Sequence, residues 1–161
     1  MLSHTDRYWR QFLDSLPESE RPYAYYEAFQ FGLSKESARQ ISPLVLQGIK
    51  TATGSLLWVY KAEGKLIPNA VDYSIVTYGD DDPVCIIQTW EIRFIPYDEV
   101  DEQFAYHGGE EDRSLESWRR MYWDFIVAEC ARIRREPSEK VPLVCERFRV
   151  VYSERLKDNQ D

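Results

Sequence analysis

Between Val84 and Phe94 the chain reads VCIIQTWEIRF, and no other stretch constrains the fold as tightly. In an extended strand successive side chains point to opposite faces, so Val84, Ile86, Gln88, Trp90, Ile92 and Phe94 share one face while Cys85, Ile87, Thr89, Glu91 and Arg93 share the other. Apolar residues fall on both faces at the start of this strand, which requires cover on both sides. A small closed or strongly curled sheet supplies that cover.

The remaining elements are shorter. TDRYWRQFLDSL sets Tyr8, Trp9, Phe12 and Leu13 on one helical stripe and ends before Pro17, so an amphipathic helix is predicted over about 5–16. Ser34 is a candidate N-cap for SKESARQI, Ser42 for a second start with Pro43 at its first position, and Gly48 is suited to end the helix in the left-handed conformation. Two short helices, or one kinked at Pro43, are expected there. SLLWVY, from Ser55, and DYSIVTY, over 72–78, read as strands. Asp98 is a candidate cap for YDEVDEQFAY, which Gly108 and Gly109 terminate. Ser114 opens the longest helix, with Leu115, Trp118, Tyr122, Phe125 and Ile126 on one stripe suited to core packing. VPLVCERFRVVY, over 141–152, closes the series as a strand. Strands interrupted by helices, without a regular βαβ period, indicate an α+β fold around a small mixed barrel. At 161 residues the chain suits a single domain spanning 1–161, with a polar tail over about 153–161.

Composition narrows the function classes. The 28 acidic and 20 basic residues leave a formal charge of −8, which argues against an extended DNA surface, because phosphate binding draws on clustered cations. A local basic groove would have to come from Lys50, Lys61 and Lys65, from Arg119 and Arg120, or from Arg132, Arg134 and Arg135; the last group equally suits the end of a helix. No apolar run approaches the roughly 20 residues of a membrane span, and the start MLSHTDRYWR lacks a signal-peptide pattern, so no membrane partner and a cytoplasmic location are expected. Cys85, Cys130 and Cys145 lack CxxC spacing and read as buried thiols.

With only His4 and His107, histidine triads and multi-histidine metal sites are set aside, and no GxGxxG or Walker-type loop occurs. The remaining chemistry lies in GIKTATGS, where Lys50 stands among Thr51, Thr53 and Ser55. In an extended segment the three hydroxyls share a face; in a helical turn Lys50 meets Thr53. A desolvated lysine serves as a base or holds a phosphate or oxyanion, whereas a purely structural Lys50 closes helix-end carbonyls. The second polar cluster, YHGGEEDRSLESW, sets Glu110, Glu111 and Asp112 before a helix start. It reads either as a lid carrying an acid/base carboxylate or as acids stabilised by the helix dipole.

Taken in order, YWRQFL, FGLSKESARQISPLVLQGIKTATGSL, PVCIIQTWEIRFIPYDEV, GGEEDRSLESWRRMYWDFI and VPLVCERFRVVY resemble the ASCH domains, whose fold is similar to the PUA domains of RNA-modifying enzymes. The resemblance covers nearly the whole chain. It implies a β-barrel with flanking helices and a cleft floored by a GxKxxT motif, here Gly48, Lys50 and Thr53. Members that hydrolyse acetylcytidine are thought to use such a lysine and threonine with a glutamate, which would fall here on Glu110 or Glu111; other members look like RNA binders, and some longer bacterial ones like ribonucleases. Two departures stand out: Gly108 and Gly109 replace a Glu-Gly pair common in relatives, and LIPNAVDYS replaces a glycine turn before the second strand. The resulting expectation is an RNA- or nucleotide-binding protein with ribonuclease-like hydrolysis. An amidohydrolase acting on an acylated cytosine nucleoside and a non-catalytic RNA-binding module are the alternatives. Lys50, Thr53 and Glu110 or Glu111 would act, and Gly48, Thr51, Ser55, Trp58 and Tyr60 would line the ligand, the two aromatics either stacking on a base or serving as ordinary barrel residues. No cofactor is expected, though a divalent metal on the carboxylates is compatible with this reading.

Overall fold

The computed structural model describes residues 1–154. Of the tail expected over 153–161, Ser153 ends the last strand, and residues 155–161 lie outside the described residues. Among the described residues the α-helices are α1 (His4–Asp14), α2 (Lys35–Leu46), α3 (Leu57–Glu63), α4 (Glu102–Gly108) and α5 (Leu115–Arg132). The strands are β1 (Ala28–Gln30), β2 (Ala52–Leu56), β3 (Tyr73–Thr77), β4 (Pro83–Pro96) and β5 (Pro142–Ser153). They form one mixed sheet in the order β1-β3-β4-β5-β2, with β1 parallel to β3 and both β3–β4 and β2–β5 antiparallel. This is the expected α+β class. The chain divides into two compact units: the first takes Met1–Gly48, Val71–Trp90 and the chain from Phe148, the second Ile49–Ala70 and Glu91–Arg147.

In the first unit the register explains why β4 begins apolar on both faces. Ile75 lies opposite Ile86 and packs with Tyr8, Trp9 and Phe12 of α1; Val76 lies opposite Cys85 and packs with Val45 of α2. Helices thus cover both sides. Helix α1 matches its predicted stripe, and Ser3 caps it by accepting from the Asp6 N–H. Ser34 caps α2 as expected, and of the two alternatives for this segment the structure shows a single helix running through Pro43, so Ser42 is an interior residue and not a second cap. The helix survives its proline because Ala38 and Val45 are fully buried and the Gln47 N–H still reaches Pro43 O at 3.0 Å. Ser42 Oγ, fully buried, has no hydrogen-bond partner among the described residues. Gly48, at φ +74°, ends the helix in the left-handed region as expected.

Asp81 adds a second cap to α1 from a distant turn. Its carboxylate accepts from the His4 and Thr5 N–H groups at 2.8 Å each and from the Thr5 hydroxyl at 2.6 Å. The Thr5 hydroxyl and the two backbone donors together pull its pKa down to about 2. A carboxylate depressed in the folded state contributes stability above its unfolded pKa of about 4 and loses it as pH falls through the folded value. Asp81→Asn is therefore expected to lower the melting temperature at neutral pH, and the gap to wild type should close between about pH 4 and about pH 2. Thermal melts across that range check it; a gap independent of pH would show that the ionised carboxylate contributes nothing.

In the second unit the α5 stripe is core, as expected: Trp118, Tyr122, Ile126 and Cys130 pack with Phe104 and Ala105 of α4 and with Ala52, Leu56, Leu143 and Cys145. Ser114 caps α5 by accepting from the Ser117 N–H. Two local expectations are corrected. Only the first two residues of SLLWVY are strand: β2 ends at Leu56 and α3 begins at Leu57, closed by Gly64 at φ +64°. Leu57, Lys61, Ala62 and Glu63 are good helix formers, Val59 is the one β-branched residue among them, and Tyr60 gains burial on the helical face. The cap of α4 is Asp101, which accepts from the Phe104 N–H at 2.8 Å, and not Asp98, which pairs with Lys140 at 2.6 Å. Pro96 precedes a short 3-10 turn over Tyr97–Glu99, so the α-helix starts three residues later than the apolar pattern indicates. The three cysteines are free and buried, as expected.

Candidate functional site

Burial alternates from Lys50 to Leu56, with Lys50, Ala52, Gly54 and Leu56 buried and Thr51, Thr53 and Ser55 half-buried. The segment is extended, which settles the choice between strand and helical turn. On the buried side Ala52 and Leu56 join the α4–α5 core, and the Gly54 N–H donates to Tyr122 Oη at 3.1 Å. Lys50 continues this side and is only 2% exposed.

A lone ammonium at such a place would be expensive to desolvate. Lys50 Nζ meets that cost with two acceptors: it donates to Gly108 O at 3.2 Å and to Glu110 Oε2 at 3.1 Å. Gly108 closes α4, so the cation also sits at the negative end of that helix. Lys50 thus closes a helix-end carbonyl, but that of α4 and not of the helix that precedes it in the chain. Glu110 is less enclosed, with its side chain 16% exposed, and is therefore the member of the pair open to a ligand.

The turn that carries Glu110 is fastened to the lysine strand. Gly109 adopts φ +74°, and a Cβ there would lie 2.6 Å from Ile49 O and 2.8 Å from Lys50 Cα. Only glycine permits so close an approach. The Thr51 N–H donates to His107 O at 2.8 Å, and Arg113 bridges the same strands by donating from Nη2 to Ile49 O at 3.3 Å and from Nε to Tyr106 O at 2.9 Å. Its guanidinium also lies 3.6 Å over the Tyr106 ring. Glu111, at φ +53°, turns outward and meets Arg120 at 3.7 Å. Asp112 accepts from the Ser114 N–H and hydroxyl, and hydrogen bonds from Ser117 and Ser114 hold its pKa down to about 2. Of the two candidate glutamates, the structure brings Glu110 to Lys50 and leaves Glu111 on the surface.

The other sequence candidates are distributed around this pair. Strand alternation sets Thr53 on the side of β2 opposite that of Lys50, in register with Glu146 of β5, and Ser55 in register with Val144. Trp58 and Tyr60 lie on α3 and not in a strand. The guanidinium of Arg135 lies 3.4 Å over the Trp58 ring, and Tyr60 is 6% exposed with the Lys65 ammonium 5.3 Å from its centroid. Gly48 shapes the chain before Lys50 through its left-handed backbone.

Sequence reasoning missed a second polar cluster. Arg147 donates from Nε to Glu91 Oε2 at 2.9 Å and from Nη1 to His107 Nδ1, which leaves the His107 proton on Nε2. Burial, then Arg147 and Arg113, push the His107 pKa below its ordinary value, so the ring is neutral near pH 7. Glu146 was missed as well. Charged residues in strands with buried neighbours were the available signal, but their partners lie far away in the chain. Among the described residues no group of three or more His, Cys, Asp or Glu side chains is placed to hold a metal ion, and no helix is long and apolar enough to cross a membrane.

The model of the ASCH domain matches residues 27–152, a span that contains the Lys50 strand and the Glu110 turn. An ASCH domain from Lactobacillus crispatus is 33% identical, with a TM-score of 0.86 over 92% of this chain and 94% of its own. A protein from Enterococcus faecalis is 31% identical, again with a TM-score of 0.86, over 99% of this chain and 94% of its own. No curated protein matches. The chain belongs to the ASCH domain family.

Proposed function

We propose that this protein binds RNA or a nucleotide at the Lys50–Glu110 pair and hydrolyses it there. The observation that carries the reading is a lysine 2% exposed, in the family's GxKxxT position, held on a carboxylate that itself reaches the surface. Such pairing of a buried cation with a ligand-facing carboxylate suits acid–base work at a developing negative charge. Glu110 takes a proton from the attacking water or hydroxyl, Lys50 stabilises the oxyanion that forms, and Glu110 returns that proton to the leaving group as its bond breaks. Thr53, on the other side of β2, takes no part in this step.

The amidohydrolase reading keeps a specific observation in its favour. Glu110 already neutralises Lys50, and a chain of net charge −8 suits an uncharged acylated cytosine nucleoside better than a phosphate. One experiment separates these readings: wild type is incubated with single-stranded RNA and, separately, with acetylcytidine. Shortened RNA supports the first reading and cytidine release the second. RNA binding without turnover, weakened by Lys50→Ala and falling with salt by about one or two ions, would reduce the protein to a binding module. Neither binding nor turnover would sink all three.

A further inference from the structure

A shallow groove in the first unit, remote in sequence from Lys50 and largely open to solvent, spans about 590 Å³ between residues 20–26 and the approach to β3. Tyr23, Tyr25, Tyr26 and Tyr73 line it together with Glu20 and Asp72, and among the described residues no lysine or arginine does. Of the nearby cations, Arg21 Nε donates to Leu16 O at 3.1 Å, and Arg149 Nη2 donates at 3.0 Å to Oε1 of Gln88, a residue of the lining. The charged side chains of the lining itself are the carboxylates of Glu20 and Asp72.

Two of the tyrosines are anchored against the core of this unit. Tyr25 is fixed from behind by an edge contact with Trp9 at 5.2 Å and by its hydroxyl, which donates to Asp6 at 3.0 Å; Tyr73 packs on Phe12 at 5.6 Å. Tyr23, by contrast, is fully exposed at the rim, where both faces of its ring meet solvent. Beside it Val71, a β-branched residue, is held at φ +81° and is 67% exposed. Its N–H donates to Thr89 O at 2.7 Å, and its carbonyl accepts from Gln88 Nε2 at 3.4 Å. Left-handed backbone at such a residue is strained, and strain of this kind collects at ligand sites.

We infer that this groove docks an extended, proline-rich peptide segment bearing arginine. Tyrosine faces accept the flat, preformed surface of a polyproline helix, and carboxylates beside aromatic rings attract a guanidinium by charge and by cation–π contact. Fixed tyrosines lower the ordering cost of binding. This inference does not depend on the Lys50 site.

The test is a backbone amide NMR titration with a short synthetic peptide of Pro-Pro-Arg repeats, run beside the same peptide with glutamate for arginine and beside single-stranded RNA. Shifts confined to the amides of residues 20, 21, 23–26, 71–73 and 88, for the arginine peptide alone, are expected. Tyr23→Ala and Asp72→Asn should each weaken that binding by roughly three- to tenfold; Tyr23 is exposed enough that its variant folds normally. Equal response to the glutamate peptide, or shifts elsewhere only, would overturn the inference. So would shifts at these amides with RNA instead, or shifts that grow with protein concentration and no peptide, which would mark a second copy of the chain as the occupant.

Discussion

Lys50→Met is expected to lower the free energy of unfolding by about 3 kcal/mol and to remove ligand turnover. The methionine fills nearly the same volume, so the loss is not a cavity effect. What disappears is the donor that Gly108 O and Glu110 Oε2 share, leaving a carboxylate 16% exposed and a helix-end carbonyl without it. Breaking one member of a buried pair costs more than the pair itself contributes, because the survivor is left desolvated; partial exposure of Glu110 places the effect at the low end of that range. Urea unfolding measures it, and the double variant with Glu110→Gln should recover about 1 to 2 kcal/mol relative to the sum of the single changes. A single-variant loss below about 0.5 kcal/mol would show that the pair is effectively solvated.

Gly109→Ala should be nearly as damaging, and Gly48→Ala supplies its control. Both glycines have φ +74°, so each alanine carries a left-handed penalty of about 1 kcal/mol. At Gly48 a Cβ meets nothing within 4 Å, and the expected loss stops there. At Gly109 it would meet Ile49 O at 2.6 Å and Ile49 C and Lys50 Cα at 2.8 Å, all backbone atoms that cannot rotate away. The turn must lift off the strand, and an added loss of about 2 kcal/mol is expected, with weakened turnover as Glu110 is drawn from Lys50. Equal unfolding losses for the two variants would disprove the close contact. Of the two adjacent glycines only Gly109 is required by the approach, whereas a Cβ at Gly108 would meet Trp118 at an ordinary 3.4 Å. In this chain the carboxylate that reaches Lys50 follows that glycine.

Much of the fold was legible because its cause is local. Helices α1 and α5 carry their own stripes and Ser caps, and β3, β4 and β5 carry alternation or two-sided burial strong enough to decide their state. Two elements were not legible and a third was left open between two forms, each for a nonlocal reason. Strand β1 is three residues long and exists by pairing parallel to β3. Helix α3 has aromatic residues that favour either state, and burial of Tyr60 chose the helix. Ser42 and Pro43 look like a helix start, yet α2 passes through them because their neighbours are packed in the core.

The candidate site divides along the same line. By itself the sequence determined that a cation would follow a left-handed glycine among small hydroxyl residues, and that an acidic turn would precede the longest helix. It also determined that the fold would be α+β, since hydrophobic period and capping act over a few residues. Only tertiary structure decided that Lys50 would face inward, that its partner would be Glu110 and not Glu111, and that Thr53 would stand on the other side of the strand. Lys50 and Glu110 are 60 residues apart, and what joins them is the fit of Gly109 against the Ile49–Lys50 backbone. That contact is a matter of tenths of an ångström between distant backbones, a quantity to which periodicity and composition are blind.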